Sequence, residues 1–225
     1  MASHNACADE ASSDGTSIKK WCVQADAGIP YEAIRQITFL RSLEHPNILR
    51  LLGVHFDADG KSLSLEYERH GVNLRTYLNS HGALCGRRLQ KVTYQCVRGV
   101  QWLHHHGIAG LCLGARSVCI EPDSDSTVIS NLTVAVSCFM SCGQNVALQG
   151  AWTGCPLDVL LGNHVPVEAA PKMDVWSLGC LVGYMARAQP LFAGSNKFEI
   201  MLEIFHVLGT PNAISWPGVT KLPDF

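Results

Sequence analysis

Asp174-Val175-Trp176-Ser177-Leu178-Gly179-Cys180 decides how this chain is read, together with Leu208-Gly209-Thr210-Pro211-Asn212 and Trp216-Pro217-Gly218-Val219-Thr220 further on. From Val175 to Ala186 runs the longest strongly apolar stretch of the sequence. A membrane-spanning helix needs about 20 apolar residues, so this run reads instead as a buried core helix. Phe198–Leu208 reads as a second helix. Upstream, Leu89, Val92, Cys96, Val100 and Leu103 recur at helical spacing and predict a long helix over Arg87–Gly107, preceded by a short one over Leu74–Ser80.

The N-terminal part has a different period. Thr16–Val23, Leu49–Phe56 and Ser62–Glu68 read as strands, with the hairpin dipeptide Asp14-Gly15 before the first and the turn Asp57-Ala58-Asp59-Gly60 between the last two. Between the first two strands, Pro30 suits the first turn of a helix whose apolar face is Ala33, Ile34, Ile37, Leu40 and Leu43. His45-Pro46-Asn47 ends that helix. Residues 1–13 hold almost no branched apolar side chains and are expected to form a loose tail. Residues 108–160 read as short strands and a long loop, uncharged from 126 to 157. Strands first and helices later imply an α+β protein in two layers or lobes.

A chain of 225 residues supports one domain with a full core, and 47% apolar content makes it globular. Seventeen basic against nineteen acidic residues leave a net charge of −2, which provides no basic field for nucleic acid. Met1-Ala2-Ser3-His4-Asn5 lacks the basic and apolar regions of a signal peptide. The ten Cys are therefore expected as reduced thiols in the cytoplasm or nucleus, not as a disulfide frame. Cys138 and Cys142 are four apart with no second pair nearby, so chance spacing explains them better than zinc, which takes four ligands. Asn131-Leu132-Thr133 matches a glycosylation acceptor pattern, which is accidental without an export signal.

Pro30-Tyr31-Glu32-Ala33-Ile34-Arg35-Gln36 resembles the helix C signature of the cyclin-dependent kinases, the Pro-Ser-Thr-Ala-Ile-Arg-Glu type. Gly28-Ile29 before it, His45-Pro46-Asn47 after it and the stretches from Asp174 to Thr220 fit the same family in order and spacing. The resemblance runs from about Asp14 to Phe225 and covers the middle of a family domain. It implies a bilobal protein-kinase-like fold, with an N-lobe over 14–69 and a helical C-lobe over 70–225. It also implies a cyclin-type partner on the helix around Tyr31, Ile34 and Arg35, although Ile34 could equally be core and Arg35 a solvated residue.

Phosphoryl transfer needs a Gly-rich loop over the phosphates, a strand Lys, a helix C Glu, a catalytic Asp and magnesium ligands. Residues 1–15 contain a single Gly, so the loop and its two flanking strands are not expected in this chain. The strand Lys is Lys19, or Lys20 if the register slips by one. Its Glu partner is replaced by Gln36, which can accept a hydrogen bond but brings no charge. Where the family has His-Arg-Asp-Leu-Lys-Pro-x-Asn, this chain reads Gly110-Leu111-Cys112-Leu113-Gly114-Ala115-Arg116-Ser117. Cys112 thus stands for the catalytic Asp, Gly114 for the Lys that neutralises the transferred phosphate, Ser117 for the Asn at the second magnesium, and Leu111 for the Arg that reads a phosphorylated activation loop. A small buried thiol is the better reading of Cys112 than a new nucleophile. The Asp-Phe-Gly metal motif aligns with Asn131-Leu132-Thr133, and one neutral oxygen is a poor magnesium ligand. Asp158 keeps the acidic group of the motif that closes the activation segment, and the usual phospho-acceptor falls near Val146.

The expectation is a catalytically inactive relative of the cyclin-dependent kinases that binds a protein partner, cyclin-type or a chaperone, with no cofactor. Its competitors are a serine/threonine kinase of low or atypical activity, which would need ATP and magnesium, and a truncated product without a biochemical role. Two later helices of the family domain lie beyond the resemblance. Part of the surface of Trp176, Leu181 and Tyr184 is therefore expected to be exposed, and the isolated chain marginal in stability.

Overall fold

Four antiparallel strands make the N-terminal sheet: β1 (Ala6–Ala11), β2 (Thr16–Cys22), β3 (Leu51–Phe56) and β4 (Ser62–Glu68), in the order β1-β2-β4-β3. The computed structural model describes residues 6–11 (backbone alone), 15–23, 28–139 and 152–225. β1 corrects the loose tail expected for residues 1–13: Ala6 pairs with Trp21 and Ala11 with Ser17, with one irregularity between Cys7 and Asp9. A ladder of backbone hydrogen bonds does not require β-branched side chains, and strand preference depends strongly on context. A strand therefore precedes the Lys-bearing one, contrary to expectation. Calls on Asp14, Cys142 and Val146 lie outside the described residues.

The sheet buries one face. Directly paired residues share a side, so Trp21 lies with Leu63, and Lys19 with Leu65, on the face where Leu63, Leu65 and Tyr67 are buried. Helix α1 (Tyr31–Leu40) packs on that face through Ala33, Gln36 and Leu40. Pro30 opens it, as the sequence predicts, because its fixed φ suits a first turn and its missing N–H costs nothing there. Lys20 pairs with Ser64 on the opposite face.

The C-terminal part is mostly helical. β5 (Val72–Asn73) leads into α2 (Leu74–His81), where Asn73 Oδ1 accepts the Thr76 N–H at 2.9 Å as a helix cap. α3 (Gly86–His105) follows, then the short strands β6 (Ile108–Ala109), β7 (Val118–Ile120), β8 (Thr127–Ile129) and β9 (Val136–Ser137). They form the sheets β5-β7-β8 and β6-β9. α4 (Leu157–Leu160), α5 (Ala170–Arg187) and α6 (Lys197–Leu208) complete the order. α5 begins before the apolar run because Pro171 fits the first turn of a helix.

The two parts are joined at the loop between α1 and β3. Ile129 N donates to Asn47 O at 2.9 Å, Leu49 N donates to Ile129 O at 2.9 Å, and Asn47 Nδ2 donates to Thr127 O at 2.9 Å. One apolar cluster spans the junction, with Trp21, Ala33, Leu63 and Leu65 on one side and Leu103, Leu111, Ile129 and Leu132 on the other. Leu181, expected on the surface, is 2% exposed, because α5 packs it among Leu74, Leu78, Val92 and Met185 against α2 and α3. Trp176 and Tyr184 are half-buried, Trp176 stacking on Phe192 with ring centroids 6.0 Å apart. Among the described residues no helix is long and apolar enough to cross a membrane.

Gly99 of α3 is where the loop comes closest: a Cβ there would lie 2.9 Å from Asn47 O and 2.9 Å from Ile129 Cδ1. Replacing a helical Gly by Ala ordinarily gains about 1 kcal/mol. Here the obstructing atom is backbone already tied to Ile129, and overpacking costs about 1–3 kcal/mol. Gly99→Ala should therefore lower the melting temperature by about 2–4 °C in a thermal melt. An increase would contradict this packing.

Candidate functional site

The site is built where the loop after β6 meets α5. Asp174, one residue in an otherwise apolar part of α5, is 1% exposed. Its Oδ2 accepts the N–H of Gly110 at 3.0 Å and lies 2.9 Å from His104 Nε2, while its Oδ1 accepts the N–H of Leu111 at 2.7 Å. Burial is the main influence on the carboxyl and pushes its pKa up; the hydrogen bonds from His104 and the two amides oppose that shift. A carboxyl raised in this way is favoured protonated by the fold, so its ionised form reduces stability at pH above the folded pKa, and the cost disappears as pH falls through that value. The loop so held keeps a demanding shape: Cys112 has φ +45°, a left-handed backbone that side-chain-bearing residues seldom adopt.

The loop is therefore held in place, and each of its side chains has its own surroundings. Leu111 is buried in the junction core, where a phosphate-reading Arg would have to reach out. Cys112 is half-buried and adds to the upward shift of the Cys155 thiol, which burial chiefly pushes up to about 12. Gly114 offers backbone only. Ser117 closes a turn on it: its Oγ accepts the Gly114 N–H at 2.9 Å and donates to Gly114 O at 3.0 Å.

Asn131 follows β8 and faces α1. Its single side-chain oxygen accepts from Gln36 Nε2 at 3.1 Å and from the Thr133 N–H at 3.0 Å. An amide oxygen has two lone pairs, and both are engaged. Gln36 is 1% exposed, and its own oxygen accepts from the Tyr67 hydroxyl, not from the strand Lys as the sequence reading allowed. The Lys19 ammonium lies over the Trp21 ring, 5.0 Å from its centroid. Asp158 sits half-buried in the first turn of α4, and its carboxylate makes no hydrogen bond or ion pair among the described residues.

The surface of α1 carries the other set of predicted residues. Tyr31 is 65% exposed and Ile34 43%, so Ile34 is not core. Arg35 is half-buried: its guanidinium lies 4.3 Å from the Tyr31 ring centroid and donates to Thr133 O at 3.3 Å. It is thus a packed residue and not a freely solvated one. A cavity of about 480 Å³ opens elsewhere, lined by Glu44, His45, Arg50, Glu68, His70 and their neighbours; none of the positions that align with catalytic groups borders it.

Sequence reading missed Tyr67, Thr133 and Asp174 as parts of this site. An acidic residue inside an apolar helix was the available signal for Asp174. Nothing local marks Tyr67 or Thr133, whose roles arise from contacts distant in sequence.

The protein kinase domain model matches residues 2–111. The chain is 34% identical over 209 residues to Cell division control protein 2 homolog 3 of Trypanosoma brucei brucei, covering 90% of this chain and 64% of that relative. It therefore spans about two thirds of the relative's length or slightly less. Among solved structures it resembles the yeast RNA Pol II CTD kinase CTDK-1 complex with a TM-score of 0.81 at 23% identity, over 93% of this chain and 67% of that one. The chain has the bilobal α+β fold of a protein kinase and is cyclin-dependent-kinase-like in sequence.

Asp174→Ala should leave two buried amides and His104 without their acceptor. Removing one member of a buried charged network costs about 3–5 kcal/mol, which corresponds to a drop of roughly 10 °C in melting temperature for a chain of this size. An unchanged melting temperature would show that Asp174 does not hold the loop.

Proposed function

We propose that this chain is a catalytically inactive cyclin-dependent-kinase-like protein that works by binding a protein partner of cyclin type through α1. One observation carries the reading: the side-chain oxygen of Asn131, at the position that aligns with the Asp-Phe-Gly metal ligand, is engaged by both Gln36 and Thr133. Magnesium could reach it only by breaking those bonds. Cys112, Gly114 and Ser117 at the remaining positions supply no carboxylate, no ammonium and no amide oxygen, and phosphoryl transfer depends almost wholly on such positioned charge. The protein therefore needs neither ATP nor magnesium as cofactor.

The partner surface is the exposed stripe of Tyr31 and Ile34, with Arg35 stacked beside it. The family resemblance supports a cyclin-type partner, and the net charge of −2 favours protein over nucleic acid. A chaperone is the second class of partner, drawn to exposed Val175, Phe198, Leu208 and Ile214. On this reading the chain acts in the cytoplasm or nucleus, where its ten Cys would stay reduced.

A kinase of low activity is the competing reading, and Lys19 on the α1-facing side of β2 favours it. Two measurements decide. With ATP and magnesium the purified chain should transfer no phosphate to a general protein substrate, and its melting temperature should not move. Ligand at a hundred times its dissociation constant adds about 2.7 kcal/mol of stability. A magnesium-dependent rise of that order, or transfer abolished by Lys19→Ala, would overturn the reading. For the partner, Ile34→Glu should weaken binding to a purified cyclin-type protein at least about tenfold and leave the melt nearly unchanged, as surface substitutions stay within about 0.5 kcal/mol. Unchanged binding would remove α1 as the partner surface.

A further inference from the structure

A chain of polar groups ties α1 to β4 and to the segment after β8. The Tyr67 hydroxyl of β4 donates to Gln36 Oε1, and Gln36 Nε2 donates to Asn131 Oδ1 at 3.1 Å. The same oxygen takes the Thr133 N–H at 3.0 Å, and Arg35 Nη1 donates to Thr133 O at 3.3 Å. Gln36 and Asn131 are ninety-five residues apart in sequence, so this is a cross-brace between α1 and the segment after β8. Gln36 is 1% exposed, and a buried amide that loses its partners there is left desolvated and unsatisfied, which disfavours the undocked helix. Both ends of the amide are satisfied in the docked position of α1. Moving the helix away breaks several bonds together.

We infer that Tyr67, Gln36 and Asn131 form a built-in clamp that holds α1 docked without nucleotide, metal ion or phosphorylation. Each link joins groups the chain itself supplies, so the docked helix needs no added ligand. The consequence for the partner surface rests on the function proposed above. A surface held ready in advance binds with no loss of affinity to an unpopulated competent state, so affinity for a cyclin-type protein should not depend on added ATP and magnesium.

The two substitutable members separate the clamp from general stability. Met at position 36 has no side-chain N–H to donate to Asn131 and no oxygen to accept from Tyr67, so Gln36→Met breaks the link without offering Lys19 a carboxylate. Asn131→Asp keeps it, because a carboxylate still accepts from both Gln36 and Thr133. Asn131→Ala removes the acceptor and is the second breaking variant.

Hydrogen–deuterium exchange on the full chain, without ligand, tests this. Amides of residues 31–40 should be protected in the wild type and unaffected by ATP with magnesium. Exchange there should rise by about tenfold or more in Gln36→Met and Asn131→Ala, with residues 86–105 of α3 unchanged, and should stay at the wild-type level in Asn131→Asp. The clamp is overturned if wild-type α1 exchanges freely, if the breaking variants match the wild type, or if α3 loosens equally with α1. These readings involve no partner. Loss of the cyclin-type interaction with α1 still protected would therefore refute the proposed function and leave the clamp standing.

Discussion

The buried carboxylate of Asp174 is the constraint on which the arrangement depends. It joins α5, the end of α3 and the loop after β6 through one side chain with three partners. An unpaired carboxylate at that depth would be strongly disfavoured, so the helix and the loop can be buried together only if the two amides and His104 point at it. That requirement shapes the loop from Gly110 to Ser117, including the left-handed backbone of Cys112. The loop after β6 is thus held by burial and hydrogen bonding, whichever side chains it presents.

The substituted positions fit together. Leu111 fills core, Ser117 closes a turn, and Asn131 and Gln36 satisfy each other across the junction between the two lobes. A cleft that must accept a metal ion and phosphates has to keep acceptors unsatisfied until the ligand arrives. Here the corresponding groups are satisfied within the protein. On the proposed reading, stability and ligand binding compete for the same lone pairs, those of Asn131 being taken up within the protein.

Much of the fold was legible in the sequence because its periods are clean. β4 spans Ser62–Glu68 as predicted, and α3 and α6 differ from the predicted bounds by a residue or two. β1 was not legible: its side chains carry no strand signal, and its order comes from backbone pairing with β2. Leu181 was misjudged because sequence period shows that a helix has a buried face but not how much its neighbours cover. For the site, the sequence shows only that Cys112, Gly114, Ser117 and Asn131 differ in chemistry from what phosphoryl transfer needs. The Gln36–Asn131 bond and the role of Tyr67 could not, because they depend on how two lobes dock.

The central claim is that Asn131 is closed to a metal–nucleotide complex. The most direct test is nuclear magnetic resonance of the side-chain amides of Asn131 and Gln36 during titration with manganese and ATP. Paramagnetic manganese broadens the signals of groups close to it. The account predicts that both amide signals keep their position and width up to millimolar ATP. Selective broadening of the Asn131 amide at substoichiometric manganese would contradict it.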